Sequence, residues 1–201
     1  IFQPSLINWS YLYLGTIALT NAKSIKRSSI FKINHIAPGI TLKGNKINTI
    51  GNLPEVGSKA KDFTLTAVDL SHKSLSDYAG KNIILNIFPS VDTGTCAMSV
   101  REFNKKASNI KNTVVLCISK DLPFAQTRFC GAEGIENVVM LSDFATGKFG
   151  QDYQLEISNG PLAHLHSRAV VIIDTNGQIA YTEQVSEIVD EPNYEAALKA
   201  V

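Results

Sequence analysis

The chain has 201 residues, of which 44% are hydrophobic and 18% are charged, and this composition excludes a disordered or fibrous protein. Its 19 basic and 18 acidic residues give a net charge of +1. The chain therefore lacks the excess of positive charge that would indicate binding to nucleic acid or stable association with a membrane surface. The odd number of cysteines, three, does not fit a secreted disulfide framework. It allows one redox pair and one further thiol.

The N-terminal residues 1–38 are expected to lie outside the folded domain. Their apolar run is interrupted by polar residues and is a poor match to the about 20 apolar residues of a spanning helix. Small residues near Ala22 permit a secretory signal, although no basic residue precedes Lys23. We expect residues 1–38 to be a disordered, non-native or targeting leader and residues 39–201 to form one domain. The expected location is cytoplasmic, or periplasmic if residues 1–22 act as a signal.

The remaining chain alternates between predicted strands and helices. Gly44-Asn45 separates two short extended runs and predicts an N-terminal β-hairpin. The near-continuous apolar run of residues 83–88 predicts a strand buried on both faces of a sheet. This order predicts an α/β fold with a mixed central sheet and helices on its faces. The other predicted elements are strands at 62–67, 114–119, 138–141, 168–174 and 179–184, a helical turn at 75–80, a helix from about Cys96, a short helix at 124–130 that ends at Gly131, and a helix from Tyr194.

Cys96 stands where the first buried strand gives way to a helix. The unpaired N–H groups and the positive end of the dipole at a helix N-terminus stabilise a thiolate, which is the reactive form of cysteine. Thr93 lies three residues earlier, so we expect its hydroxyl to approach the sulfur, and we expect Pro89 to shield the thiolate from water. Arg168, at the head of a predicted strand, is the candidate cation. The alternative is that Cys96 is an ordinary small core residue.

The other two cysteines differ in their surroundings. Cys130 lies 34 residues after Cys96, near the end of a short predicted helix beside glycines. That position suits a resolving thiol, which must move to meet an oxidised partner, and equally suits a packing residue. Cys117 lies among apolar strand residues and is expected to be part of the core.

Three long stretches occur in order along the chain: NIFPSVDTGTCAMSVREFN at 86–104, NTVVLCISKDLPFAQTRFCGAEG at 112–134 and SRAVVIID at 167–174. Weaker support comes from residues 53–65 and 191–198. Together these stretches resemble the bacterial thiol peroxidases of the Tpx family, which are atypical two-cysteine peroxiredoxins. The resemblance extends from about residue 40 to the C-terminus and does not include the leader.

This resemblance implies a thioredoxin-like fold, a homodimer, no metal and no organic cofactor. It implies that Cys96 is the peroxidatic cysteine, that Cys130 is the resolving cysteine, and that Pro89, Thr93 and Arg168 complete the catalytic site. The implied activity is the reduction of organic, including lipid, hydroperoxides and hydrogen peroxide through a Cys96 sulfenic acid. A Cys96–Cys130 disulfide would follow, to be reduced by thioredoxin, in a role in antioxidant defence.

The sequence allows a test of three other functions. A peroxide sensor that relays oxidation to a partner protein would use the same Cys96 chemistry and stays open. A disulfide reductase would require Cys-x-x-Cys, but Ser99 and Thr93 occupy the two positions that would form it with Cys96. A cysteine hydrolase would require a base, for which only His164 and His166 are candidates. The same two histidines lack further ligands at a spacing typical of a metal site.

Overall fold

A computed structural model describes residues 39–201, and the predicted leader of residues 1–38 lies outside the described residues. The described chain begins with the predicted β-hairpin, in which Ile40 pairs with Ile47. Its turn is one residue earlier than expected, at Lys43 and Gly44, which both have the positive φ that a tight hairpin turn requires. The two antiparallel strands are β1 (Gly39–Leu42) and β2 (Asn45–Asn48).

A seven-stranded mixed sheet forms the centre of the described chain. Its strand order is β4-β3-β7-β6-β5-β8-β9, with β5 parallel to β6, β6 parallel to β7 and all other neighbours antiparallel. The prediction of a mixed α/β sheet is therefore confirmed. The strands are β3 (Thr64–Ala67), β4 (His72–Ser74), β5 (Asn82–Ile87), β6 (Thr113–Ser119), β7 (Val139–Ser142), β8 (Ala169–Ile173) and β9 (Ile179–Gln184).

Helices cover both faces of this sheet, as predicted. On one face, Phe149 and Tyr153 pack against the side chains of the central strands. On the other face, Val100, Phe103 and Phe129 pack against the alternate side chains of the same strands. The helices are α1 (Gly94–Ala107), α2 (Pro123–Glu133), α3 (Lys148–Asp152) and α4 (Tyr194–Lys199), and a 3-10 turn spans Leu75–Tyr78. Within residues 39–201, no helix is long and apolar enough to cross a membrane.

Two short elements escaped prediction, and one helix end was wrong. β4 is a three-residue strand at the sheet edge with one exposed and two half-buried residues, so it carries no apolar pattern. α3 has only five residues. α2 continues through Gly131 and ends at Gly134, whose φ of 64 lets its N–H bond the Cys130 carbonyl. Both residues are glycines, and only the packed chain selects the one that adopts the left-handed conformation.

The sheet topology brings the loop after β5 and the residue before β8 to the same end of the sheet. The loop after β5 begins beside Ile87, the last residue of that strand. Arg168 immediately precedes β8, which runs antiparallel to β5 with Ala169 opposite Ile87. The residue before β8 therefore lies next to the loop after β5, and this loop leads directly into α1.

The corrected end of α2 yields a prediction about stability. In Gly131→Ala, the new Cβ meets no atom within 4 Å and the backbone is helical, so we expect the free energy of unfolding to rise by about 0.5–1 kcal/mol. In Gly134→Ala, the left-handed conformation should instead cost roughly 1–2 kcal/mol. Urea unfolding followed by circular dichroism measures both. Equal effects of the two variants would contradict the assignment of Gly134 as the helix end.

Candidate active site

Cys96 is the third residue of α1 and its side chain is fully buried. The helix begins after Thr93, in extended conformation, so Cys96 lies in the first turn as predicted. N–H groups in a first turn have no partners inside the helix, and the helix dipole favours negative charge there. The sulfur therefore lies at the positive end of the helix dipole and is shielded from water.

Arg168 contacts the sulfur of Cys96, although the two residues are 72 positions apart in the sequence. Its Nη2 lies 3.3 Å from Cys96 Sγ, and its Nε donates a 2.9 Å hydrogen bond to the Ile188 carbonyl. The side chain is 2% exposed, and its Nη1 has no hydrogen-bond partner among residues 39–201. A buried cation is costly unless it faces negative charge. The guanidinium therefore supplies both a counter-charge for the sulfur and one unused donor.

A cavity of about 550 Å³ opens beside Arg168, which lines it together with Pro89 and Thr93, and Cys96 lies behind this lining. Pro89 is buried, as its predicted shielding role requires. The Thr93 hydroxyl differs from expectation, because it donates to the Ser90 carbonyl at 3.2 Å and not to the sulfur. That bond closes a local turn of the loop. Most of the remaining lining is apolar and consists of Leu42, Leu162, Leu165, Ile188 and Val189.

The loop before α1 is anchored by Asp121, a residue that the sequence analysis did not single out. Its carboxylate accepts hydrogen bonds from the Ser90 hydroxyl and the Val91 N–H, each 2.7 Å long. The Ser119 hydroxyl at the end of β6 donates to the same carboxylate at 2.8 Å. The loop is thus fixed to the neighbouring parallel strand. No spacing rule in the sequence reveals this anchor, because its two partners in the loop lie about 30 residues away.

Glu187 fixes the β-hairpin to the cavity and was also missed. Its carboxylate accepts hydrogen bonds from the Gly44 N–H and Lys43 N–H at 2.9 Å and from the Thr41 hydroxyl at 2.8 Å. These bonds, with the Gly44 N–H contributing most, lower the pKa of Glu187 to about 2. The hairpin thereby becomes one wall of the cavity, since Leu42 and Lys43 line it.

Cys130 lies on α2 with a half-buried, unbonded thiol. It packs against the same apolar cluster that contains Cys96, and burial raises the pKa of Cys130. Cys117, in contrast, is fully buried in β6, and burial raises the pKa of Cys117 to about 12. The expectation that Cys117 is a core residue is confirmed. The three cysteines are all free thiols.

The two candidate histidines do not contact Cys96. His164 Nδ1 lies 3.3 Å from Glu156, and the buried His166 Nε2 lies 3.1 Å from Asp143. Burial lowers the pKa of His166, against the opposing effect of Asp143. A hydrolase base is therefore not assembled at Cys96. Across the part of the chain that the structure describes, no group of three or more histidine, cysteine or acidic residues could hold a metal ion.

Comparison with known proteins gives consistent matches. The Redoxin family model matches residues 55–198. The thiol peroxidases of Mycobacterium bovis and Mycobacterium tuberculosis are each 57% identical to this chain over 162 residues, which is 81% of this chain and 97% of either relative. The crystal structure of a peroxiredoxin-like protein from Aquifex aeolicus superposes with a TM-score of 0.77 at 35% identity. The superposition covers 83% of this chain and 97% of the Aquifex aeolicus chain.

The Glu187 contacts generate a pH prediction. The carboxyl titrates at about 2 when folded, against an ordinary value of 4.5, so its stabilising effect is complete above about pH 4.5 and disappears as the pH falls towards 2. Glu187→Gln should therefore lower the midpoint of thermal unfolding at pH 7, with a smaller difference from wild type at pH 3. Glu136→Gln is the control, because within residues 39–201 its carboxylate accepts no hydrogen bond. A difference that grows towards low pH would contradict the assigned contacts.

Proposed function

The chain belongs to the redoxin family and is one of its thiol peroxidases, and we propose that Cys96 is the residue that performs its thiol-dependent reduction of hydroperoxides. The observation that carries this proposal is the 3.3 Å contact between Arg168 Nη2 and Cys96 Sγ in the buried first turn of α1. A cysteine serving only as packing would not require a buried guanidinium against its sulfur.

In the first step, the Cys96 thiolate attacks the terminal oxygen of a hydroperoxide. A sulfur–oxygen bond forms as the O–O bond breaks, which converts Cys96 to a sulfenic acid. The other oxygen takes up one proton, equal to the one released when the thiol ionised, and leaves as an alcohol, or as water from hydrogen peroxide. Negative charge moves from sulfur to the departing oxygen. The unused Nη1 donor of Arg168 and the free N–H groups of the first turn would stabilise that charge.

In the second step, we assign Cys130 as the resolving cysteine. Its thiol would attack the Cys96 sulfenic acid, form a disulfide and release water. The two thiols are free and lie on different helices, Cys96 fully buried in α1 and Cys130 half-buried in α2, so a local rearrangement would bring the sulfurs to bonding distance. Two ion pairs near solvent connect α2 to its neighbours: Arg101–Glu133 to α1, and Arg128–Asp92 to the loop before α1. Exposed ion pairs contribute little to stability, so α2 is suited to this rearrangement.

The cavity and the dithiol cycle indicate the other reactants. A mostly apolar cavity of about 550 Å³ beside the guanidinium of Arg168 suits organic, including lipid, hydroperoxides and also admits hydrogen peroxide. The disulfide would be returned to two thiols by a dithiol reductant such as thioredoxin. No step of this cycle uses a metal or an organic cofactor. Three cysteines, of which Cys117 is a core residue and the other two form the proposed redox pair, leave no structural disulfide, and this suits a reducing, cytoplasmic compartment with residues 39–201 as the working domain.

We also propose that the protein is a homodimer. Leu122 and Phe124, at the start of α2, are 50% and 67% exposed, and Phe144 is 46% exposed. They are neighbours, because the Ser142 hydroxyl bonds the Asp121 carbonyl and also accepts from the Phe144 N–H. Exposed apolar residues that cluster in this way are typical of protein interfaces.

The peroxidase cycle is tested by treating the reduced protein with one equivalent of cumene hydroperoxide, followed by intact mass and peptide mapping. We expect the wild type to lose two hydrogen atoms and to link Cys96 to Cys130. Cys130→Ser should gain one oxygen at Cys96, whereas Cys96→Ser should remain unchanged. Cys117→Ser is the matched control and should behave as the wild type. A wild type with no rapid change at Cys96 would refute the proposal, and fast cycling with thioredoxin distinguishes a peroxidase from a sensor.

The dimer is tested by sedimentation equilibrium. Phe124→Glu should shift the protein to the monomer, because a carboxylate cannot be buried unpaired in an apolar interface. Val56→Glu is the control, since Val56 is 61% exposed in a different loop, beside β9. A monomeric wild type at micromolar concentration, or an unchanged dimer of Phe124→Glu, would rule out this interface.

A further inference from the structure

Asn86 is a polar residue next to the end of the apolar strand β5, which spans Asn82–Ile87. It is 1% exposed, and its side chain points to the sheet face that packs against α1. The amide Nδ2 lies 3.3 Å from Ser99 Oγ and 3.5 Å from Cys117 Sγ. Burial of an amide is costly unless its donors are bonded, so these contacts decide its orientation.

Ser99 connects this amide to the candidate nucleophile. It is fully buried, one turn after Cys96 in α1, and its hydroxyl donates a 2.8 Å hydrogen bond to the Cys96 carbonyl. A hydroxyl has one proton, which is used in that bond, so Ser99 must accept from Asn86. The result is a directed chain of hydrogen bonds from β5 through Ser99 to the backbone of Cys96.

Arg168 is held next to the same strand by the pairing of β8 with β5. Asn86 is opposite Val170 of β8 in the sheet register, and Arg168 is the residue directly before β8. The guanidinium is thus positioned by the pairing of β8 with β5. The Cys96 backbone is positioned by the hydrogen bonds that begin on β5. The two groups of the 3.3 Å contact, the Arg168 guanidinium and the Cys96 sulfur, are therefore both positioned by the same short segment of β5.

We infer that Asn86 and Ser99 are positioning residues that hold the first turn of α1 so that Cys96 Sγ faces Arg168. This inference rests on the peroxidatic role proposed for Cys96. The hydrogen bonds favour the attack on hydroperoxide, because they keep the sulfur at the guanidinium. They oppose the next step, because the same turn must open before Cys96 reaches Cys130. Asn86 and Ser99 thereby set the balance between the two steps.

The test compares wild type with Ser99→Ala and Asn86→Leu, each of which removes the hydrogen-bonding group with little change in shape. Stopped-flow measurement would give the rate constant for Cys96 oxidation and the rate of disulfide formation separately. We expect oxidation to slow by about tenfold, a barrier change of about 1.4 kcal/mol, while disulfide formation becomes about threefold to tenfold faster. The double variant should be no slower in oxidation than the slower single variant, because both act through one chain of bonds.

Val100→Ala is the matched control. Val100 follows Ser99 in α1, is equally buried and has no polar atom in its side chain, so its truncation loosens packing without touching the hydrogen bonds. It should not move the two rates in opposite directions. If Val100→Ala gives the same split, or if the two rates of Ser99→Ala and Asn86→Leu match those of wild type, the positioning role is overturned. If wild-type Cys96 itself does not react, the proposed function fails instead.

Discussion

The contact between a buried guanidinium and a buried cysteine sulfur is the interaction around which this structure is organised. Arg168 is 2% exposed and Cys96 is fully buried, yet they lie 72 residues apart in the sequence. The desolvation cost of a buried charge must be offset by specific partners, which here are the Cys96 sulfur and the Ile188 carbonyl. The order of strands in the sheet makes this possible, because β8 returns antiparallel beside β5 and delivers Arg168 to the start of α1.

Two carboxylates convert the surrounding loops into a defined cavity. Asp121 binds the loop that precedes α1, and Glu187 binds the turn of the N-terminal hairpin. Both accept backbone N–H groups that a loop would otherwise leave to water. The cavity walls are therefore set by hydrogen bonds to main chain, while apolar side chains supply most of the surface that a substrate would contact.

The environment of Cys130 differs from that of Cys96 in a way that suits a two-step cycle. Cys96 is held by hydrogen bonds within the core, through Ser99 and Asn86. α2, which carries Cys130, buries few of its side chains and is partly held by ion pairs near solvent. Elements with few buried contacts open at the lowest free energy, so α2 is the part of the site best suited to move.

The sequence by itself determined the order of the main strands and helices, because buried strands and amphipathic helices leave periodic patterns of apolar residues. Its long motifs also singled out Cys96, Pro89 and Arg168 as candidates, and in the structure Arg168 contacts Cys96 and lines a cavity with Pro89. Local patterns did not determine which glycine ends α2, nor that the Thr93 hydroxyl bonds Ser90 and not the sulfur. Only the tertiary structure decided the parts played by Asp121 and Glu187. Their partners lie about 30 and 145 residues away, and contacts at such separations depend on the packed sheet and leave no local pattern in the sequence.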